Sequence, residues 1–289
     1  MSDPNEARTL GIIAGSGTLP AKVAHAALAA GRRVFIIGLE GFADRTALAP
    51  FAHGFARIGA AGRIRELLQT NGCRDLVLIG GVRRPSIFEM RPDAEGVKIL
   101  ARIGKAAFAG DDGLLAAVVR VLSEEGFCVV GAQDILREAQ APAGLLTRAA
   151  PDTQAMADIA RGVAVARALG GVDVGQGCVV QQGLVLAVEA IEGTDAMLAR
   201  CAPLARPGLG GVLVKLAKPG QERRADLPTI GAATVAAAAA AGLRGIAYEA
   251  GGALLADRAA TLALADDTGL FIIGLDPGGL DPATLGEPI

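Results

Sequence analysis

The sequence is poor in the residues that build zinc centres and disulfide frameworks. Its four cysteines are scattered without a Cys-x-x-Cys pair, and it has only two histidines, His25 and His53. Zinc sites need closely spaced cysteine and histidine ligands, and small disulfide-bonded domains need cysteines in a dense framework. We therefore expect reduced, mostly buried thiols and no zinc site.

The chain also lacks long runs of one charge and long apolar segments. Its formal net charge is −2, and no extended basic stretch provides the positive surface that nucleic-acid binding requires. No uninterrupted apolar run is long enough to cross a bilayer, and the polar N-terminal residues do not resemble a signal peptide. We expect a cytoplasmic protein that binds no nucleic acid.

Glycine and small apolar residues are abundant. Hydrophobic types make up 52% of the chain and glycine accounts for 40 residues, whereas tryptophan is absent and tyrosine occurs once. In the first half, short apolar segments alternate with helix-like segments, which predicts a parallel sheet covered by helices on both faces. The predicted fold class is α/β, with two α/β domains.

The domain boundaries are predicted from a break in this alternation. Residues 138–152 contain two prolines and a polar mixture, which is typical of a linker. We therefore predict an N-terminal Rossmann-like domain over 1–137 and a C-terminal domain over 153–289. Two consecutive strands around Gly183 predict a hairpin, and so a mixed sheet in the second domain. Asp152 is expected to cap the helix that follows it.

A glycine-rich turn follows the first predicted strand. Gly15, Ser16 and Gly17 connect that strand to a helix that begins near Pro20. Glycines let a ligand approach the backbone, and the amides at a helix N-terminus favour phosphate. The turn does not match Gly-x-Gly-x-x-Gly, the pattern of dinucleotide sites. A tight structural turn and an anion-binding turn both remain open.

Two arginines follow another buried strand. Arg83 and Arg84 come directly after Gly80, Gly81 and Val82, at the predicted carboxyl end of a parallel strand. Ligands of open α/β sheets bind at this edge. Arginine holds phosphate oxygens through paired, forked hydrogen bonds, so these side chains are candidates for binding a diphosphate. A solvated basic loop is the alternative.

Two adjacent aspartates precede a predicted helix. One of Asp111 and Asp112 is enough to cap the helix N-terminus. The other is then available to Mg²⁺, which binds a small number of carboxylates together with phosphate oxygens. Capping alone remains the alternative for this pair.

Acidic side chains also appear where a strand of the second domain ends. The predicted buried strand 184–188 leads into Glu189, Glu192 and Asp195. A buried carboxylate is very costly unless it is paired, hydrogen-bonded or bound to a metal. A second loop carries further charged residues: Lys215, Lys218, Arg223, Arg224 and Asp226. Together these groups favour a phosphate-and-metal site, with a salt-bridge network as the alternative.

Several segments, taken together, resemble the LpxI family of UDP-2,3-diacylglucosamine pyrophosphatases. They span nearly the whole chain in the order expected for that family. They are GIIAGSGTLP (11–20), GGVRRP (80–85), GDDGLL (110–115), EGFCVVG (125–131), VLAVEAIEGTDAML (185–198), KPGQERRADLPTIG (218–231) and EAGGALLADR (249–258). One departure is visible, because Glu222 stands where the family pattern has aspartate.

The resemblance implies a metal-dependent hydrolase of lipid A biosynthesis. It implies cleavage of UDP-2,3-diacylglucosamine to UMP and 2,3-diacylglucosamine 1-phosphate, called lipid X, by attack of water on the sugar-side phosphate. The expected cofactor is Mg²⁺ or Mn²⁺. Peripheral contact with the inner face of the inner membrane and a homodimer are further expectations.

From the shared segments and the charged residues beside them we expect three groups of functional residues. The catalytic group is Asp226, Asp111, Asp112 and Glu189. The substrate-binding group is Gly15, Ser16, Gly17, Arg83, Arg84, Thr194, Lys215, Lys218, Gln221 and Arg224. The metal ligands are Asp111, Asp112, Glu189, Glu192, Asp195 and Asp226.

Two other functions are compatible with parts of the sequence. A nucleotide-sugar oxidoreductase or transferase would use the glycine turn as a nucleotide site. A lipid-binding protein without activity would account for the apolar content. Binding of NAD(P)H would support the first, and metal-dependent turnover would exclude the second.

Overall fold

The structure is a computed structural model that describes residues 8–83, 86–104 and 111–276. Residues are grouped into two compact units by their contacts. The first unit takes the chain up to Arg137 and also the short segment Glu222–Asp226. The second takes Glu138–Gln221 and the chain from Leu227 onward.

The first unit is built around a parallel sheet. Its elements are β1 (Thr9–Ala14), α1 (Leu19–Ala29), β2 (Val34–Leu39), α2 (Arg45–Leu48), β3 (His53–Ala56), α3 (Ala61–Thr70), β4 (Cys73–Ile79), α4 (Ile87–Met90), α5 (Ala94–Ile103), α6 (Asp111–Glu124), β5 (Cys128–Val129) and α7 (Ala132–Ile135). The strand order is β3-β2-β1-β4-β5, and every pairing is parallel. The predicted parallel sheet of the N-terminal half is confirmed.

The central strands are apolar because both faces of the sheet are covered. Leu10 and Ile12 in β1 and Ile36 and Ile37 in β2 have no exposed surface. Leu68 of α3 is equally buried and packs in a cluster with residues of β2 and β4. Continuous burial of this kind explains why these strands read as unbroken hydrophobic runs.

The second unit contains a mixed sheet. Its elements are β6 (Gly144–Leu145), α8 (Thr153–Gly171), β7 (Gly177–Gln181), β8 (Leu184–Val188), α9 (Gly193–Cys201), β9 (Val212–Lys215), β10 (Thr229–Ile230), α10 (Ala232–Ala240), β11 (Gly245–Glu249), β12 (Leu254–Leu255), α11 (Arg258–Thr268) and β13 (Phe271–Leu275). Its six-stranded sheet has the order β6-β13-β11-β9-β7-β8, and β10 pairs separately with β12. Strands β9, β11 and β13 are parallel, whereas β6, β7 and β8 join by antiparallel pairing. This agrees with the predicted mixed sheet.

The two-residue turn between β7 and β8 has a backbone conformation that suits the twist of the two strands. Gln182 and Gly183 both have positive φ, 54° and 77°. Two consecutive left-handed residues fit the right-handed twist of the strands they join. The strand 184–188 was expected to be buried, but β8 lies at the sheet edge, where Leu184 and Val185 are exposed. An all-apolar strand reads the same at an edge as in a core, so this expectation was wrong.

The predicted linker contributes to the second unit. Gly144–Leu145 form β6, which pairs with β13, and Ala141 is fully buried. A two-residue strand is too short to produce a periodic pattern, so the prolines of residues 138–152 are the visible signal and predict a linker. At the end of this stretch, the Asp152 side chain accepts a hydrogen bond from the Ala155 amide at 2.7 Å, which confirms the predicted cap of α8.

Candidate functional site

The glycine turn of the first unit pairs with the loop that follows β4. The amides of Ser16 and Gly81 donate to each other's carbonyl oxygens at 2.8 and 3.1 Å, and Ser16 Oγ also donates to the Gly81 carbonyl at 3.0 Å. A Cβ atom added to Gly15 would lie 2.6 Å from the Gly81 carbonyl oxygen. Close approach of two backbones therefore requires glycine at this position. The substrate-binding assignment of Gly15, Ser16 and Gly17 stays a prediction.

The loop after β4 continues into the basic pair. Arg83 is exposed, so its guanidinium is accessible to a ligand. Arg84 lies outside the described residues. The expected diphosphate-binding role of these arginines stays a prediction.

The adjacent aspartates lie inside helix α6. The structure describes α6 as Asp111–Glu124, so Asp111 and Asp112 are helical residues and do not precede the helix as the sequence predicted. Asp112 is half-buried, and the side chain of Asp111 is not described.

A segment from the second half of the chain belongs to the first unit. In Glu222–Asp226, the Arg223 carbonyl oxygen accepts a hydrogen bond from the Gln133 side chain at 3.4 Å. Gln133 lies in α7, directly after β5, so this segment is placed at the carboxyl edge of the parallel sheet. Ligands of open α/β sheets bind at this edge.

Glu222 and Arg224 are paired within the segment. The Arg224 guanidinium contacts both carboxylate oxygens of Glu222, at 2.8 and 2.7 Å. This hydrogen bonding holds the pKa of Glu222 below its usual value. Glu222 therefore stays ionised and paired with Arg224 at neutral pH. The substrate-binding role predicted for Arg224 competes with this contact.

Asp226 closes a tight turn on the same segment. Its amide donates to the Glu222 carbonyl at 3.0 Å, and the side chain is half-buried. On the other side, Pro228 is buried and its carbonyl oxygen accepts from the Leu254 amide of the second unit at 2.8 Å. The backbone is thus fixed by hydrogen bonds on both sides of the Asp226 carboxylate.

In the second unit, three predicted site residues form one buried cluster, the Glu189–Thr194–Lys215 cluster. The Lys215 ammonium donates to Thr194 Oγ1 at 2.5 Å, and that hydroxyl donates to Glu189 Oε1 at 2.7 Å. The lysine nitrogen and Glu189 Oε1 are 4.0 Å apart. Glu189 and Lys215 are each only 6% exposed. The hydroxyl joins two buried charges of opposite sign, which offsets part of the cost of burying them.

The local sequence explains why these three groups meet. Lys215 is the last residue of β9, and Glu189 extends the hairpin by donating its amide to the Gly177 carbonyl at 2.8 Å. Gly177 of β7 pairs with Lys215, so it places these two strand ends side by side. Thr194 enters from the first turn of α9.

Some hydrogen-bonding groups of the cluster have no partner among the described residues. Glu189 Oε2 is buried and accepts no hydrogen bond from the described residues. Lys215 has three N–H donors, of which the described contacts use one, to Thr194. Buried polar groups without partners are rare and point to a ligand, an ion or water. The cluster can therefore present both a carboxylate oxygen and ammonium hydrogens to a bound group.

The other acidic residues after β8 have local partners. Glu192 precedes α9 and pairs with Arg200 at 2.7 Å, and this contact holds the pKa of Glu192 below its usual value. Asp195 lies in the first turn of α9. Their surroundings are those of a helix N-terminus. A role as metal ligands stays a prediction for both.

Lys218 and Gln221 hold their own loop in place. Lys218 Nζ contacts the Asp173 carboxylate at 2.6 Å, and the Lys218 amide donates to the Gln221 side chain at 2.9 Å. Gln221 also contacts the Gln176 side chain at 3.4 Å and is only 7% exposed. Sequence reasoning missed Asp173 and Gln176, because the contacts to each span 45 residues. These bonds fix the loop that leads to Asp226.

Glu249 is a further residue to which the sequence analysis gave no role. It ends β11 and is 8% exposed, and its neighbour Tyr248 pairs with Lys215. A buried carboxylate beside the strand end that carries Lys215 belongs to the same edge of the sheet. Its signal was the EAGG stretch that the chain shares with the LpxI segments.

Across residues 8–83, 86–104 and 111–276, no group of three or more histidine, cysteine, aspartate or glutamate side chains is arranged to hold a metal ion. The same part of the chain contains no helix that is long and apolar enough to cross a membrane. Burial raises the pKa of Cys73 to about 11 and that of Cys178 to about 12, so neither thiol is ionised at neutral pH.

Comparison with known proteins now decides the family. The family model described as the LpxI N-terminal domain matches residues 9–139, and the LpxI C-terminal domain matches residues 142–273. The chain belongs to the LpxI family. It is 46% identical over 276 residues to the UDP-2,3-diacylglucosamine pyrophosphatase LpxI of Caulobacter vibrioides, which covers 93% of this chain and 98% of that protein.

The LpxI assignment confirms the resemblance that the sequence motifs indicated. Along the sequence, the match to the N-terminal family domain ends at residue 139 and the match to the C-terminal domain begins at residue 142. This boundary is close to Arg137, the last residue of the first stretch of chain in the first compact unit. The identity extends through both LpxI domains, so it includes the Glu189–Thr194–Lys215 cluster and the Asp226 segment within its span.

Proposed function

We propose that this LpxI-family chain hydrolyses the diphosphate of UDP-2,3-diacylglucosamine to UMP and 2,3-diacylglucosamine 1-phosphate, lipid X. The observation that carries this proposal is the 46% identity, over nearly the full length of both chains, to a UDP-2,3-diacylglucosamine pyrophosphatase. The reaction belongs to lipid A synthesis.

The Glu189–Thr194–Lys215 cluster supports the binding of a charged diphosphate ester. In the proposal, Lys215 donates its unused N–H groups to a phosphate oxygen, and Thr194 fixes the direction of the ammonium. Preorganised donors in a buried site stabilise developing negative charge more than they would in water. Glu189 Oε1 lies 4.0 Å from the lysine nitrogen and balances its positive charge.

Asp226 supports the hydrolytic step. Hydrogen bonds on either side of it hold the backbone that carries its carboxylate in place. In the proposal, Asp226 accepts a proton from the attacking water or positions it, as a general base does. Catalysis is sensitive to such placement, because a well-oriented group lowers the entropic cost of reaching the transition state.

The donor chemistry fits Mg²⁺ or Mn²⁺, which prefer oxygen ligands. Glu189 Oε2 is a buried carboxylate oxygen that accepts no described hydrogen bond. Mg²⁺ needs only one or two carboxylates when phosphate oxygens and water complete its shell. The ligand set Asp111, Asp112, Glu189, Glu192, Asp195 and Asp226 stays a prediction. When bound, the cation supplies charge neutralisation at the diphosphate.

The metal requirement is tested by chelation. Exhaustive treatment with EDTA is expected to abolish UMP release, and added Mg²⁺ or Mn²⁺ is expected to restore it. Full activity after chelation would show that no divalent cation takes part.

The position of attack is tested with labelled water. If water attacks the sugar-side phosphate, hydrolysis in ¹⁸O-enriched water places the label in 2,3-diacylglucosamine 1-phosphate and leaves UMP unlabelled. Mass spectrometry of both products distinguishes this from attack on the uridine-side phosphate, which would label UMP.

The oligomeric state and membrane contact remain part of the proposal. We propose a cytoplasmic enzyme that touches the inner membrane, because its substrate carries two acyl chains. A homodimer is retained as the predicted assembly. Light scattering of the purified chain tests the dimer directly.

A further inference from the structure

A loop of the second unit is exposed along its whole length and carries apolar side chains. Residues 202–209, which we call the leucine loop, connect α9 to the approach of β9. Leu204 is 47% exposed and Leu209 is 63% exposed. Single exposed leucines are ordinary on protein surfaces, so their meaning depends on whether they form a continuous patch.

The leucine loop is fixed against the tip of the β7–β8 hairpin. The Gln181 side chain donates to the carbonyl oxygens of Arg206 and Leu209 at 2.9 and 2.8 Å. The Gln182 side chain donates to the Pro207 carbonyl at 2.9 Å. A loop held by these bonds presents its side chains without a large ordering cost on binding.

The hairpin adds a third leucine to the same surface. Leu184 pairs with Gln181 across the hairpin and is 49% exposed. Residues that pair directly across antiparallel strands project to the same face of a sheet. Because Gln181 reaches the leucine loop from that face, Leu184 extends the apolar patch of Leu204 and Leu209.

The leucine loop and the chain that flanks it carry charge of one sign. At the hairpin tip, the Asp158 carboxylate accepts hydrogen bonds from the Gln182 and Gly183 amides at 3.1 and 2.7 Å, but Asp158 is only 1% exposed and adds no surface charge. Between Ala196 and Gln221 the chain has no aspartate or glutamate, although acidic residues number 30 in the full sequence. At the centre of the loop, Arg206 is exposed, and its guanidinium contacts only the Gln182 side-chain oxygen, at 3.3 Å, among the described residues. Such a surface suits the interface of an anionic lipid bilayer, because its apolar side chains can enter the acyl region while the cation contacts the anionic headgroups.

We infer that the leucine loop and Leu184 form the surface with which this protein docks on an anionic membrane. A second copy of the chain fits this patch less well, because a symmetric contact would bring the two Arg206 side chains together. Three leucines are also a small fraction of the residues that a stable interface buries on each side. The inference extends the proposed function, which gives the protein a substrate that resides in a bilayer.

The test measures binding without substrate, so it can fail independently of the proposed hydrolysis. Sedimentation with vesicles of phosphatidylethanolamine and phosphatidylglycerol is compared with sedimentation with vesicles of phosphatidylcholine alone. The double variant Leu204→Ser/Leu209→Ser is expected to bind the anionic vesicles about tenfold more weakly, because it removes buried apolar surface. Arg206→Gln is expected to weaken anionic binding about fivefold and to leave binding to phosphatidylcholine unchanged.

A matched control lies at the opposite end of β7. Val172 and Val174 are 71% and 46% exposed, so Val172→Ser/Val174→Ser removes comparable apolar surface away from the loop. This control is expected to bind vesicles like the parent, and all variants should keep the parent's melting temperature. Absence of vesicle binding by the parent, or equal losses in the loop and control variants, would overturn the inference. So would a change from dimer to monomer in the loop variant without any loss of vesicle binding.

Discussion

Replacing Thr194 with valine removes the hydroxyl that joins two buried charges and keeps the shape of the side chain. In the parent, that hydroxyl accepts from Lys215 at 2.5 Å and donates to Glu189 at 2.7 Å. A hydrogen bond to a charged group contributes about 1.5–3 kcal/mol to stability. Because the ammonium and the carboxylate are then left 4.0 Å apart without a bridge, we expect a loss of about 3 kcal/mol.

This loss is measured as thermal unfolding of the second unit. For a unit of its size, a loss of 1 kcal/mol lowers the melting temperature by about 2–4 °C, so a decrease of roughly 6–12 °C is expected. Thr194→Ser is the matched control, because it keeps the hydroxyl and should stay close to the parent. If Thr194→Val melts like the parent, the hydroxyl does not hold the two charges together, and the cluster does not fix Lys215.

Three further predictions concern individual carboxylates. Asp226→Asn is expected to lower turnover by roughly a hundredfold or more with an unchanged melting temperature and lipid affinity, and near-normal turnover would remove Asp226 from the catalytic residues. Asp152→Ala should cost about 1 kcal/mol of unfolding free energy at neutral pH, because α8 loses its cap, while Asp152→Asn keeps most of it. The hydrogen bond from the Ala155 amide is the main cause of the lowered pKa of Asp152. The stability that the ionised carboxylate adds is therefore present above its pKa in the unfolded chain, 3.8, and is lost as the pH falls through its lower pKa in the folded protein. Glu222→Gln should cost under about 1 kcal/mol at neutral pH, since Arg224 is 47% exposed, and the difference from the parent should vanish on acidification through the lowered pKa of Glu222. Urea unfolding at several pH values measures the last two effects, and a pH-independent difference would contradict either one.

The sheets could be predicted because their strands are short, apolar and separated by helix signals. β1 and β2 are buried on both faces, and that burial is what a continuous hydrophobic run records. The same signal failed for β8, since an apolar edge strand and an apolar core strand have identical local sequences. Only the neighbours of a strand decide between them, and pairing is a long-range property.

The functional site was predictable as a set of residue types and less so as a set of contacts. The sequence pointed to Glu189, Thr194 and Lys215, and the structure brings these three together. It gave no sign that Asp173 would engage Lys218, because that contact joins residues 45 positions apart. Nor did it show that Glu222–Asp226 would belong to the first unit, which depends on packing between distant parts of the chain.

The α9 helix shows a third kind of limit. Its first residues, Gly193, Thr194 and Asp195, are weak helix formers, so their sequence does not predict the start of a helix. In the folded unit, Met197, Leu198 and Cys201 are fully buried on one side of this helix. Tertiary packing of that apolar face stabilises a helix that propensity alone does not predict.

The most direct test of the proposed function is release of UMP from UDP-2,3-diacylglucosamine by the purified chain. With Mg²⁺ present, mass spectrometry is expected to show equal amounts of UMP and 2,3-diacylglucosamine 1-phosphate. The Asp226→Asn protein, prepared in the same way, should form both products at least roughly a hundredfold more slowly. Intact substrate after incubation with a folded parent protein and Mg²⁺ or Mn²⁺ would contradict the proposal.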